Sequence, residues 1–238
     1  MIKFDLHIHS LASGHATKST ITEIAKTASL NGLSLVGISD HAPKTSHAGK
    51  PSYFQNLIHA PKLRFGVRVL YGIELNILDF DGNVDLDYEI LNKLDYAIIS
   101  MHSHNIASGT VLQNTDAYIN AIKHPNVKII GHCDSPAYPV DYPRLLKAAM
   151  KNNVIFEINN SSLSPDGYRG DTKKNNTQIL ELCAKYNYPV VLSSDSHGTA
   201  HVGDFTYALR LINEVNFPKD LILNYSLVGL SEFLHKEL

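Results

Sequence analysis

The chain is poor in cysteine. Cys133 and Cys183 are the only two in 238 residues, too few for the disulfide framework that staples small secreted domains, so a reducing, cytoplasmic setting is expected. Long apolar runs are missing as well. Val69 to Leu78 is interrupted by Glu74, and nothing approaches the roughly 18 residues a membrane span requires. The N-terminus meets Asp5, His7 and His9 before any apolar stretch develops, which argues against a secretory leader. Basic clusters are absent beyond the pair Lys173-Lys174, and the net charge is −2. No stable nucleic-acid partner and no membrane partner is therefore expected, although a small anionic substrate is not excluded. No Gly-x-Gly-x-x-Gly follows the first apolar run, which removes the simplest argument for a dinucleotide site. No Pro/Gly/Ser-rich linker interrupts the chain, so residues 1–238 read as one domain.

Histidine is what the chain has in abundance, with thirteen. Their placement follows from the strand and helix pattern. Apolar, β-branched runs at Ile2 to Ile8, Leu33 to Ser39, Val67 to Ile73, Asp95 to Ser100, Val127 to Gly131, Val154 to Ile158 and Val190 to Ser194 read as strands. Helical patterns lie between them at Ile21 to Leu30, Leu86 to Leu94, Asp116 to Lys123, Arg144 to Asn152, Thr177 to Tyr186 and Phe205 to Val215. The stretch Lys44 to Arg64 is irregular and should hold at least one short helix. Near-continuous apolar strands such as VKII and VIFEI imply burial on both faces, as in a parallel sheet flanked by helices. Seven or eight such units fit a closed or nearly closed α/β barrel better than an open sheet.

Six of the seven predicted strands deliver a metal-capable side chain at or just past their C-terminal end: His7 and His9, Asp40 with His41, Glu74, His102, His132, and Asp195 with His197. In a parallel βα barrel these ends share one rim, where active sites are built. His7 with His9, and Asp195 with His197, are i, i+2 pairs that a strand projects to one side. Mixed imidazole and carboxylate ligands suit zinc, manganese or iron better than magnesium or calcium. The nine candidates exceed what one ion takes, so two or three ions are expected. His47, His59, His124 and His235 fall in irregular or helical segments and are expected to face solvent. Asp5, two residues before His7, is expected to orient a ligand imidazole, and Cys133 to pack or shape a loop.

The motifs DLHIHS at the N-terminus, GISDH at 37–41, GIELN at 72–76, His102, GH at 131–132, EINNSS at 157–162 and SDSH at 194–197 resemble the PHP (polymerase and histidinol phosphatase) family. Within it, the chain is similar to the YcdX-type bacterial phosphoesterases, nearly end to end. The resemblance implies a distorted parallel (β/α)7 barrel with three divalent metal ions, usually zinc. It implies that His7, His9, Glu74 and Asp195 hold one ion, and that Glu74 bridges to a second held with His102 and His132. His15, His41 and His197 would hold the third. His15, in the loop SLASGHAT, enters through the resemblance alone. His104 and His201 lie near the rim without an assignment.

Hydrolysis of a small phosphate ester by a metal-activated hydroxide is the activity expected from such a centre. Asp195 or His197 would assist proton transfer, and Arg169 in SPDGYRG would clamp the phosphate through its planar fork. Asn159 and Asn160 would help shape the rim. Three alternatives stay open: an amidohydrolase-like hydrolase, a nuclease acting on small fragments, and a metal-binding module without catalysis. The first normally carries a Lys at the fourth strand end, where this chain has His102.

Overall fold

Thr20 opens the first helix with a reciprocal cap. Its hydroxyl accepts from Glu23 N, and the Glu23 carboxylate accepts from Thr20 N at 2.7 Å, so α1 (Ile21–Leu30) starts where the sequence places it. Thr110 and Gln113 repeat the device, and it is this cap that starts α4 at Val111 rather than at the expected Asp116.

The computed structural model describes residues 1–238. The ten strands are β1 (Phe4–His9), β2 (Leu35–Ile38), β3 (Leu63–Arg64), β4 (Val67–Tyr71), β5 (Glu74–Asn76), β6 (Ala97–Ser100), β7 (Val127–Ile130), β8 (Ile155–Asn159), β9 (Val190–Ser193) and β10 (Ser196–His197). The α-helices after α1 are α2 (Pro51–Asn56), α3 (Tyr88–Leu91), α4 (Val111–Ala121), α5 (Tyr142–Asn152), α6 (Asn160–Leu163), α7 (Lys173–Lys185), α8 (Thr206–Glu214) and α9 (Leu227–Leu234). None is long and apolar enough to cross a membrane.

The result is a mixed α/β single domain with parallel sheets. The strands form two five-stranded sheets, ordered β10-β1-β2-β4-β3 and β5-β6-β7-β8-β9. Every pairing is parallel except the β3–β4 hairpin. The third predicted strand, Val67 to Ile73, therefore ends early, and its continuation belongs to the other sheet. Gly72 marks the break, because a Cβ there would collide with the ring of Tyr96. That ring also fills the space beside Gly37, and its hydroxyl donates to Leu6 O at 2.5 Å. The two sheets meet at a single parallel bridge, His41 to Glu74. On the opposite side no ladder joins β9 to β1. Instead the buried Asn224 side chain accepts from Leu192 N at 2.8 Å and donates to Phe4 O and Leu192 O, at 3.0 and 2.8 Å.

Apolar burial comes in two layers. The larger lies between strands and flanking helices. The smaller gathers Phe4, Leu6, Leu35, Leu70, Tyr96 and Ile98 with residues of β7, β8 and β9, and α9 contributes Leu230, Phe233 and Leu234. Strands of both sheets thus share one interior, and α9, a helix the sequence reading did not anticipate, covers it.

Candidate metal centre

A β-bulge carries the first two histidines into the site. Between Asp5 and Ile8 the register of β1 slips against β2 by one residue. Leu6 joins the inner apolar cluster while His7 and His9, both fully buried, lie with ring centroids 5.0 Å apart. The same slip breaks the simple alternation that linked Asp5 to the imidazoles. Asp5 touches no ring: its carboxylate accepts from the backbone N–H groups of His7, Ser194 and Gly203, at 3.3, 3.2 and 3.1 Å, and so ties β1 to the loop around β10.

Hydrogen-bond partners decide which nitrogen each histidine can offer a cation. Glu157 Oε1 lies 2.6 Å from His7 Nδ1, and a carboxylate only accepts, so that nitrogen carries the proton. Ser13 spends its one hydroxyl proton on Asp40 Oδ1, at 2.8 Å, and accepts from His41 N. Toward His9 Nδ1, 2.8 Å away, it can only accept again. Asn76 donates its amide to Asp85 Oδ2 at 2.7 Å, which orients its carbonyl oxygen to His102 Nδ1, also at 2.7 Å. His197 Nδ1 donates to Asp195 O at 3.2 Å. In all four rings Nδ1 is the anchored donor, leaving Nε2 as the free end; this is the arrangement in which outer partners set ligand tautomers around a metal.

Those free ends converge without partners. His7 Nε2, His9 Nε2, His102 Nε2, His41 Nδ1 and Glu74 Oε2 are buried atoms with no hydrogen bond, each costly unless something compensates it. Glu74 sits at the hub. Its Oε1 is 2.8 Å from His132 Nε2, 3.3 Å from His102 Nε2 and 3.6 Å from His7 Nε2. Its Oε2 is 2.6 Å from His41 Nδ1, without hydrogen-bond geometry, and 3.7 Å from His9 Nε2. Asp195 Oδ1 adds contacts of 3.2 Å to His9 Nε2 and 3.6 Å to His7 Nε2. Three overlapping triads each bring their ligand atoms within 4.8 Å of one another: His7, His9 and Asp195; His41, Glu74 and His102; His9, His41 and His197. His15 is exposed and stacks on His41, with centroids 4.8 Å apart. All nine residues that the family resemblance implies as ligands are thus together.

Burial and neighbouring charges pull the members of the cluster in opposite directions. Burial lowers the His7 pKa, yet Glu157, Asp195 and Glu74 together raise it well above the ordinary histidine value. Burial alone would raise Glu74, but His102, His41 and His7 hold it well below the usual carboxylate range. His9 moves the other way, pushed well down by burial and by the neighbouring His41 and His197. A cluster of buried imidazoles and carboxylates with bare, converging lone pairs fits divalent ions of the zinc, manganese or iron kind. Two of its members stand on strained backbone, His132 at φ 23° and Asp195 at φ 53°, a conformation that non-glycine residues hold only where the surroundings impose it. Gly131 before His132 is one such constraint, since a Cβ there would strike Ser100 and Ile98.

Several other expectations are corrected or refined. Asp40, among the nine strand-end candidates, turns away from the cluster and accepts from Ser10, Ser13 and Tyr53. Glu157, quoted only as the start of the EINNSS motif, was given no role, because VIFEI reads as an apolar strand. The signal was the charged residue inside that run, which is 1% exposed and also accepts from His132 N at 2.7 Å. Cys133 is buried in the core and its carbonyl accepts from Tyr142. His47, His59 and His235 are exposed, whereas His124 is half-buried with Nε2 3.1 Å from Gly82 O.

Above the cluster opens a cavity of about 800 Å³, lined by His15, His104, Tyr138, Tyr168, Arg169 and His201 among others. Arg169 is no solvated loop residue. Its guanidinium donates to Asp195 Oδ2 at 2.9 Å and to Ser162 Oγ at 3.1 Å, beneath the ring of Tyr168. Asn159 donates to Glu157 and Asp195, and Asn160 accepts from the first N–H groups of α8.

The family model of the PHP domain matches residues 5–226. The chain belongs to the PHP domain family. This PHP-domain chain is 40% identical over 220 residues to a probable phosphatase of Clostridium novyi, covering 92% of the chain and 89% of the relative. It is 41% identical over 234 residues to a probable phosphatase of Caldanaerobacter subterraneus, covering 98% and 91%. Among solved structures, its fold is similar to histidinol phosphate phosphatase of Lactococcus lactis in complex with zinc, L-histidinol and phosphate. There the TM-score is 0.63 with 17% identity, over 91% of this chain and 94% of that one. A chain in the structure of archaeal ribonuclease P with mature tRNA is also similar, at TM-score 0.59 and 15% identity, over 98% and 90%. At such identities the likeness is one of fold.

Proposed function

We propose that this chain is a metal-dependent phosphoesterase that hydrolyses small phosphomonoesters, with residues 1–238 acting as one unit. The observation that carries the reading is the set of buried, partnerless ligand atoms facing one cavity that also receives the Arg169 guanidinium. The relatives named probable phosphatases support it, as does a fold neighbour whose structure holds zinc and phosphate. We read the two sheets as halves of a distorted (β/α)7 barrel, their shared interior being the supporting feature. The proposed centre holds three ions, zinc first, with manganese or iron as alternatives. His7, His9, Glu74 and Asp195 would hold one, Glu74, His102 and His132 a second, and His15, His41 and His197 the third.

Divalent ions held there would neutralise phosphoryl charge and bring the pKa of water near neutrality. The protein's own contribution is orientation. Glu157, Ser13 and Asn76 fix the imidazoles, and Arg169 retains three of its five N–H donors after its bonds to Asp195 and Ser162, enough to hold a phosphoryl oxygen. Asp195 is poorly placed to move a proton. Its Oδ2 accepts from Arg169 and Asn159, and although burial raises its pKa, His7 and Arg169 bring it well below the usual range. His197 has Nδ1 engaged by the Asp195 carbonyl. Both are therefore kept as ligands, and the expected proton-transfer role loses its support. Elemental analysis of the purified protein, coupled to a phosphomonoester panel with and without chelator, tests the reading. Turnover that chelation abolishes and zinc or manganese restores is expected; metal-loaded protein that cleaves no phosphomonoester overturns it.

A further inference from the structure

One buried carboxylate stands outside the ligand set and the chemistry above. Asp134, 1% exposed, follows β7 and touches no cationic side chain. Burying a carboxylate without a direct ion pair is unfavourable, and the cation near enough to act on this one is Arg169. Its hydrogen bonds show what it serves. Asn176 on α7 donates to Oδ2 at 2.7 Å, and Ser162 Oγ donates to Oδ1 at 3.3 Å. Ser162, 3% exposed, uses its only hydroxyl proton there, so its lone pairs are turned to the group on its other side, Nη1 of Arg169 at 3.1 Å. The loop carrying Arg169 is fastened at further points: Thr172 Oγ1 donates to Ser162 O at 2.7 Å, and Asn175 Nδ2 donates to Asp134 O at 2.7 Å.

We propose that Ser162, held by Asp134, is a positioning residue for Arg169. The guanidinium is gripped at both ends, Nη2 by Asp195 at the cluster and Nη1 by Ser162, with Asp134 behind it. A planar fork held at two points has no free rotation about its last torsions, so its unused donors face the cavity without further ordering. The acidic end of the relay also supplies, through one hydroxyl, the negative charge that offsets a cation only 7% exposed. With the grip on one side only, Arg169 would swing about its bond to Asp195 and meet the phosphoryl group in many poses.

The inference rests on the phosphoesterase reading, and a double-mutant cycle separates the two. In metal-loaded protein, Ser162→Ala should lower kcat/KM for an aryl phosphate by on the order of tenfold, the size expected when one hydrogen bond to a charged group is lost. Bound metal should be unchanged, while the melting temperature should fall, because the buried Asp134 carboxylate loses one of its two side-chain donors. In the Arg169→Ala background the same substitution should change kcat/KM less than twofold, because a residue acting through Arg169 has nothing left to position. Ser162→Thr, which keeps the hydroxyl, should recover most of the loss. Additive effects of the two alanine substitutions, or a Ser162→Ala variant that has lost metal, overturn the proposal. If wild-type protein shows no turnover, the phosphoesterase reading fails. The cycle is then read in the affinity for inorganic phosphate by calorimetry, where the same non-additivity is required.

Discussion

Glu157 shows how much of this site is set by residues that are not ligands. The carboxylate fixes the His7 ring by Nδ1 and the backbone of His132 by its N–H. Glu157→Gln keeps the shape but can present its amide to His7 Nδ1, which would then lose the fixed proton and aim Nε2 less well. Loss of such a partner typically lowers metal affinity 10- to 100-fold. A competition titration with a chromophoric chelator should show a weakening of about that size for the tightest ion, with little change in the far-UV spectrum; unchanged affinity would remove Glu157 from its supporting role. Sequence reading reached eight of the nine proposed ligands from the strand ends, and His15, in a loop, came from the family resemblance alone. Glu157 escaped because one polar residue in an apolar strand has no periodic signature, and only the neighbouring strand reveals what it faces.

At the scale of elements, the seam between β1 and β9 is the point of interest. A side chain, Asn224, stands where a backbone ladder would otherwise run. Asn224→Ala leaves the buried Leu192 N–H and Phe4 carbonyl without their partners, a loss of about 2 to 4 kcal/mol. Urea unfolding should report it as a lower midpoint at unchanged slope, and a loss under about 1 kcal/mol would mean that water replaces the amide freely. The regular elements themselves were legible: α1 coincides with its predicted bounds, and β1, β2, β6, β7, β8 and β9 lie within two residues of theirs. The failures were topological. Whether Val67 to Asn76 is one strand or two depends on the bulk of Tyr96, which lies more than twenty residues away in sequence.

For the whole molecule, one contribution to acid stability comes from Asp95, where the hairpin, β6 and the C-terminus meet. Its carboxylate accepts from Tyr71 N at 2.8 Å and pairs with Lys62 and Lys236, each at 3.1 Å. Burial raises its pKa, but the Tyr71 N–H and the two lysines outweigh it and lower the value below the ordinary one. A carboxyl depressed in the folded state stabilises above its unfolded pKa of about 3.9, and that contribution is lost as pH falls through the lower folded value. Melting temperatures of wild type and Asp95→Asn should therefore differ most at neutral pH, and the gap should narrow as pH falls through the depressed folded pKa. A gap that does not narrow at all on acidification would assign the effect to packing instead.

The sequence alone determined the alternation of strand and helix, the strand ends that carry most of the histidines of the cluster, and the family motifs. These are local properties: apolar period, caps, and residue type at strand ends. Tertiary structure alone decided that the strands divide into two sheets, that Asp40 faces away while Glu157 faces in, and which nitrogen of each imidazole is free. Those outcomes depend on partners brought together from distant positions, His7 with Glu157 and Arg169 with Asp195 among them. No local pattern encodes such a meeting, because a hydrogen bond is specified only when both of its ends have been placed.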